Sequence, residues 1–309
     1  MGVDLNCAQL LLRAKRNGVS FERLATLGRQ GLHANRPALT TILRNAGFLL
    51  SRDCEAGLLD PSREYADDFF RILGAREIVA IDASDYEGAQ IVHDMNMPIP
   101  ENLVASFDAV LDGGTLEHVF NFPTAFRSAI SLVRVNGRFI SFTVTNNFCG
   151  HGFYQFSPEL FHRLLREENG YRMESCIIWE EIRGSRFYEV PDPVSRGRRI
   201  ELTSRSGSYL FVQGTRVGPI RDDYVPEQSD YVAHWTGSSR NRNGSGNPNA
   251  FRAALKKIPG LRSSVLFARD LQRRSLLRPL YTEAEYRARL VHRNTRTDLT
   301  PLEGLRVRL

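Results

Sequence analysis

The sequence predicts an α/β protein built on a doubly wound, mostly parallel sheet, and three observations predict it. Short apolar, strand-like runs end at Leu27, Ile81, Val92, Leu111 and Val144; amphipathic stretches separate most of them; and each run is followed by Gly, Asp, Asn or His. Strands that alternate with helices give parallel sheets covered on both faces. Ligands of such sheets bind outside the carboxyl ends of the strands. Gly28, Asp82, Asp94, Asp112 and His151 are therefore expected on, or shortly beyond, one sheet edge, although more than 120 residues of sequence lie between the first and the last.

Taken in order, residues 1–20 read as an N-terminal helix interrupted by Asp4, Arg13, Lys15 and Arg16, a surface helix rather than a signal peptide. In FERLATLGRQGLH, Leu24, Ala25 and Leu27 form the first strand, and Gly28 and Gly31 flank Arg29 and Gln30 in a turn. NRPALTTILRNAG and PSREYADDFFRILGA carry helical signals. Pro37 and Pro61 suit first turns, and Ile42, Leu43, Phe69, Phe70, Ile72 and Leu73 can build apolar faces. Asp82 follows Gly28 by 54 residues, where the acid of dinucleotide folds follows the glycine loop by about 20. A helical insertion at about 33–65 accounts for the excess, read either as a lid or acceptor-binding addition or as a lengthened hairpin.

IVAIDAS, IVHDMNMPIP and FDAVLDGGTLEHV supply the next three strands, the last running through a Gly-Gly bend into Glu117 and His118. His93 alternates with Asp94 and is expected to point away from the cleft. SLVRVNGRFISFTV reads as a helix, a Gly turn and a fifth strand. In the loop after it, TNNFCGHGFYQFSPELF, Asn146, Asn147, His151, Tyr154 and Gln155 can hydrogen-bond a polar acceptor, and Ser157-Pro158 starts a helix. Phe148, Phe153, Tyr154 and Phe156 read equally well as a packing cluster. YRMESCIIWEE and GSYLFVQGTRVG add two further strands.

These segments, in this order, resemble class I S-adenosylmethionine (SAM)-dependent methyltransferases, in which an aspartate-bearing strand is often followed by a Leu-Glu-His-Val tetrad. Here the tetrad is Leu116-Glu117-His118-Val119, and the resemblance spans about 70 residues, from Glu77 to about Asn147. The glycine-rich motif I of that family is degenerate: Gly28-Arg29-Gln30-Gly31 stands where a Gly-x-Gly-x-Gly loop is usual.

The resemblance implies a seven-stranded sheet closed by an antiparallel pair, with SAM as cofactor. It implies cofactor contacts from Gly28, Arg29, Gln30, Asp82, Ala83, Asp94, Met95, Asp112, Gly113 and Glu117. Asp82 would bond the ribose hydroxyls, and Asp94 the adenine amino group with Met95 against the ring. Asp112, or the turn after it, would face the methionine amino group, and Arg29 or Gln30 the carboxylate. His118 or His151 would be the general base, with Asn146, Asn147, Tyr154 and Gln155 toward a small-molecule or glycan-type acceptor. The reaction would be in-line displacement, in which positioning is the main contribution.

Two other readings stay open. One is a catalytically silent methyltransferase-like binding scaffold. The other is a divalent-metal hydrolase with Asp82, Asp94, Asp112, Glu117 and His118 as ligands. No H-x-x-x-H or D-x-D spacing occurs, so no metal site is expected. The G-x-G-x-x-G fingerprint of nicotinamide enzymes is absent.

A chain of 309 residues, 42% of them hydrophobic, can bury one sizeable core with an appendage. No apolar run approaches the roughly 18 residues that cross a bilayer, and a cytoplasmic protein is expected. Cys7, Cys54, Cys149 and Cys176 make no C-x-x-C pair, so reduced thiols are the default. The α/β domain is expected over 21–220, a linker over 221–249 containing SSRNRNGSGNPN, and a basic helical extension over 250–309. Residues 240–309 hold 16 Lys and Arg against 5 Asp and Glu, a net of +11 in a chain of +6. That end reads first as a helix pair docked on an acidic core, and second as a cationic arm for nucleic acid, a membrane surface or a phosphate-bearing acceptor.

Overall fold

The computed structural model describes residues 2–182, 186–196, 200, 202, 204, 206–232 and 300–301. The chain divides into a unit of Met1–Ser229 with Asp298–Leu309 and a unit of Asp230–Thr297. The helices expected over 250–309, and most of the expected linker, lie outside the described residues.

Five parallel strands form the centre of the larger unit: β2 (Arg23–Leu27), β4 (Glu77–Asp82), β5 (Ile91–Val92), β6 (Phe107–Asp112) and β7 (Val133–Asn146). Their order across the sheet is β5-β4-β2-β6-β7, so the chain reverses its direction of winding between β2 and β6. This is the switch point at which doubly wound sheets bind ligands. Beyond β7 the sheet continues with β10 (Ser208–Arg216) and β8 (Tyr171–Glu180), each antiparallel to its neighbour on the β7 side. These are the seven expected strands. Two short strands, β9 (Tyr188–Glu189) and β11 (Thr300–Pro301), extend the β8 edge.

Side-chain alternation along the strands feeds two cores. Leu24, Ala109, Leu111 and Ile140 face one, with α1 (Leu5–Arg16), α2 (Arg36–Asn45), α3 (Arg52–Leu59) and α4 (Asp67–Ile72). Ala25, Leu27, Val110 and Phe139 face the other, with α5 (Phe122–Leu132) and α6 (Pro158–Leu164).

Three expectations need correction. The N-terminal helix is a core helix: Leu5 and the eight residues Asn6, Cys7, Ala8, Gln9, Leu10, Leu11, Leu12 and Ala14 are buried. Asp4 does not interrupt it but caps it, accepting from the Cys7 N–H at 2.7 Å. The strand before it, β1 (Gly2–Val3), pairs with β3 (Gly31–Leu32), immediately beyond the Gly28 turn. Pro37 does begin α2, behind the Asn35 cap, whereas the helix after Pro61 starts only at Asp67, and α3 lies unforeseen between the two. Residues 64–66 instead clip onto the first loop, where Leu32 donates to Glu64 O and Ala66 to Gln30 O.

Because Leu11 is fully buried, Leu11→Ala should cost about 2–5 kcal/mol in denaturant unfolding. A loss within about 0.5 kcal/mol would return α1 to the surface.

Candidate functional site

At the switch point Gly28 turns the chain with φ +68. A Cβ there would stand 3.1 Å from Thr115 Oγ1 and 3.6 Å from Asp82 Oδ2. The ends of β2, β4 and β6 thus converge on one bend, as the strand pattern required. Thr115, which the sequence reading passed over, ties the bend together by donating its hydroxyl to Leu27 O at 2.8 Å. Its only signal was its place immediately after a Gly-Gly pair.

Asp112 is wholly buried. Its carboxylate accepts from Thr115 N at 2.8 Å, Leu116 N at 3.3 Å and Ser141 Oγ at 2.6 Å. Burial pushes its carboxyl up, opposed by these hydrogen bonds. The side chain therefore caps the turn after β6, and its oxygens are taken up inside the protein. Asp112→Ala leaves several buried donors unpaired and should cost at least about 3 kcal/mol by chemical denaturation, since hydrogen bonds to charged groups contribute about 1.5–3 kcal/mol each.

The residues of the first loop part company. Arg29 is committed elsewhere: its guanidinium lies 3.8 Å from the Tyr65 ring centre, pairs with Asp67 at 2.9 Å and donates to Glu87 O at 2.9 Å. It is not available for a cofactor carboxylate. Gln30 is buried beside Gly113, where any Cβ would overlap its amide. It donates to Leu27 O at 2.8 Å and Gly28 O at 3.1 Å, while its Oε1 is buried without a partner.

Asp82 Oδ1 accepts from the Ala83 N–H at 2.6 Å. Asp94 is exposed, and its Oδ1 takes the backbone and side-chain N–H groups of Asn96, which hold the carboxyl below its usual range. Met95 is buried in the α5 core rather than free to stack on a ring. His93 turns to Met97 O at 3.2 Å. A cavity of about 450 Å³ opens beside Arg29 and Gln30 on the α4 face, and includes neither Asp82 nor Glu117.

The second half of the site is built on Glu117. The single 3₁₀ turn Leu116–His118 sends the Glu117 side chain inward and leaves His118 exposed. Glu117 O accepts from Phe153 N at 2.9 Å and Tyr154 N at 3.1 Å. A Cβ on Gly152 would lie 2.9 Å from that same oxygen, so only glycine lets the loop come this close. The loop thereby sets His151 Nε2 3.8 Å from Glu117 Oε1, with its ring centre 5.2 Å from that of His118.

Neither Glu117 oxygen, nor Thr143 Oγ1, makes a hydrogen bond of good geometry, although the Thr143 hydroxyl lies close enough to the carboxyl to oppose its rise. Burial, reinforced by the Asp112 charge, pushes the Glu117 carboxyl up to about 8. Burial and His151 lower His118.

The proposed acceptor residues mostly serve the loop itself. Asn146 Nδ2 donates to Ser204 Oγ at 3.0 Å, and Asn147, with φ +61, donates to Ser204 O and Ser206 O. Gln155 Oε1 accepts from Phe148 N at 2.8 Å. Tyr154 donates to Phe120 O at 2.7 Å and stacks on Phe156. The packing alternative thus describes Tyr154 and Phe156 best. The ligand set of the hydrolase reading does not assemble, because Asp112 is sealed in its turn; Glu117 and His118 meet His151 instead.

No family model and no curated protein matches the sequence. Among solved structures, the fold is similar to SAM-dependent methyltransferases. The 1,6-didemethyltoxoflavin N1-methyltransferase of Burkholderia thailandensis, with bound 1,6-didemethyltoxoflavin and S-adenosylhomocysteine, is 15% identical. Its TM-score is 0.36 over 69% of this chain and 80% of its own. A SAM-dependent methyltransferase of Mesorhizobium loti is 16% identical, with a TM-score of 0.37 over 68% and 98%. A branched-chain polyamine synthase of Thermus thermophilus is 12% identical, with a TM-score of 0.35 over 72% and 58%. At scores this low, what the cleft can do rests on its own residues.

With its carboxyl raised from 4.5 to about 8, folded Glu117 holds a proton through a window in which the unfolded chain has lost it. Its contribution to stability is therefore complete below about pH 4.5 and falls as the pH rises toward 8. Glu117→Gln should flatten that decline in unfolding titrations from about pH 5 to 9 in EDTA-containing buffer, and an unchanged slope would place the loss elsewhere.

Proposed function

We propose that the chain is a SAM-dependent methyltransferase acting on a small-molecule or glycan-type acceptor. The observation that carries this reading is the cradle at Gly28 and Gly113. The Gly28 bend brings the ends of three strands together with Asp82 Oδ2 at its rim, and Gln30 Oε1, packed against Gly113, is buried there without a donor. An ammonium group, such as that of the methionine part of SAM, is the donor this oxygen lacks. The donor set fits the rest of the cofactor: Asp82 would accept from the ribose hydroxyls, and the exposed Asp94 from the adenine amino group.

SAM, when bound, supplies an electrophilic methyl group. The chain's contribution is to hold it in line with the acceptor, a positioning effect on the order of 7–11 kcal/mol in favourable models. His118 and His151 stand beyond the cradle, where, with no ion bound, an imidazole nitrogen would take the proton of a hydroxyl nucleophile.

The competing reading, a silent scaffold, draws on Gln30 and Arg29. The Gln30 amide lies across the bend, and Arg29 is held by Tyr65 and Asp67. Calorimetric titration separates the two. SAM and its demethylated product should bind the full-length chain, and Asp82→Ala should weaken both about 10- to 100-fold, the equivalent of hydrogen bonds to a charged group. No binding at about millimolar ligand would leave the scaffold standing.

A further inference from the structure

We propose that Glu117, His118 and His151 form a site for a divalent transition-metal ion of the zinc class. Their ligand atoms lie within 4.8 Å of one another. The 3.8 Å between His151 Nε2 and Glu117 Oε1 suits two atoms that each sit about 2.0–2.2 Å from one ion, a geometry that separates them by roughly 3–4 Å.

The independent sign is Glu117 itself. It is fully buried, it points at His151, and neither carboxylate oxygen makes a hydrogen bond of good geometry. Oxygen-seeking cations such as Mg²⁺ would find a single carboxylate here, whereas two imidazoles and a carboxylate suit zinc and its neighbours. His118 is exposed and His151 partly so, which leaves the remaining coordination positions facing solvent, as in catalytic rather than structural zinc sites.

Beside the cluster Phe120 and Phe153 meet edge to face at 6.0 Å while 73% and 68% exposed. An acceptor with an apolar body and an oxygen donor would rest on these rings with its oxygen on the ion. That role rests on the methyl-transfer reading, whereas the ion site does not.

The test uses the full-length protein, dialysed against EDTA and titrated with Zn²⁺ by calorimetry, with metal analysis after gel filtration and the visible spectrum of a Co²⁺ form. One zinc per chain and a raised Tm are expected, with no response to Mg²⁺. The double variant His118→Ala/His151→Ala changes no buried side chain. It should keep the wild-type circular dichroism and lose the ion, while His93→Ala keeps it. Absence of zinc at about micromolar concentration, or wild-type uptake by the double variant, overturns the site. SAM titrated separately distinguishes the two proposals: zinc without SAM binding would sink methyl transfer alone, and SAM without zinc would sink the ion site alone.

Discussion

The mouth of this sheet depends on one buried carboxylate. Asp112 ends the strand at the switch point and turns inward, accepting from the turn that follows it and from Ser141 on the neighbouring strand. A carboxylate removed from water needs such donors, and here they also fix the path of the chain. Thr115, held by the same turn, reaches across to Leu27 O and locks the ends of β2 and β6 together. The next residues have no freedom left: Leu116 enters the core, Glu117 follows it inward, and His118 faces solvent. The raised Glu117 carboxyl is a direct consequence, because it shares its dry surroundings with the Asp112 charge.

The insertion between the first two central strands has a structural use that its length alone does not suggest. Residues 64–66 hydrogen-bond to Gln30 and Leu32, Tyr65 receives the Arg29 guanidinium, and Asp67 neutralises it. From the other side, β1 pairs with β3. The short loop with only two glycines is thus clamped by segments on both sides, and it keeps its bend without a full glycine-rich motif. Arg29 is part of that clamp, which explains why a cation so near the cleft is turned away from it.

Much of this was legible in the sequence because it is local. The runs ending at Leu27, Ile81, Val92, Leu111 and Val144 mark strands whose ends in the structure lie within two residues of those positions. Glycine and acid positions at the strand ends pointed to the edge where Gly28, Asp82 and Thr115 meet. What stayed hidden depends on distant partners. Arg29 is read as a ligand grip until Tyr65 and Asp67, brought in by the insertion, are seen beside it. Asp112 and Asp82 look alike as strand-ending acids, yet only the first finds donors inside. Met95 and the N-terminal helix were misplaced for the same reason: their sequences carry polar neighbours, and burial is decided by what packs against them. The pairing of His151 with Glu117 spans a loop whose closeness depends on Gly152, and no motif spacing announces it.

The groups that remain unsatisfied say most about chemistry. Buried polar atoms without well-formed hydrogen bonds are rare, and each costs about 1–3 kcal/mol. At this edge Gln30 Oε1, both Glu117 oxygens and Thr143 Oγ1 are all in that condition. A protonated Glu117 removes only part of the difficulty, since its carbonyl oxygen still lacks a donor. A fold that needed only to be stable would be better served by an apolar side chain at position 117, because replacing buried charged groups with well-packed hydrophobic ones is often neutral or stabilising. An acid kept there, facing an imidazole across 3.8 Å and next to a second exposed one, is placed for something that arrives from outside the chain. The Gln30 oxygen, at the other end of the same edge and packed against Gly113, is in the same condition, so the unsatisfied groups fall on either side of the Asp112 turn.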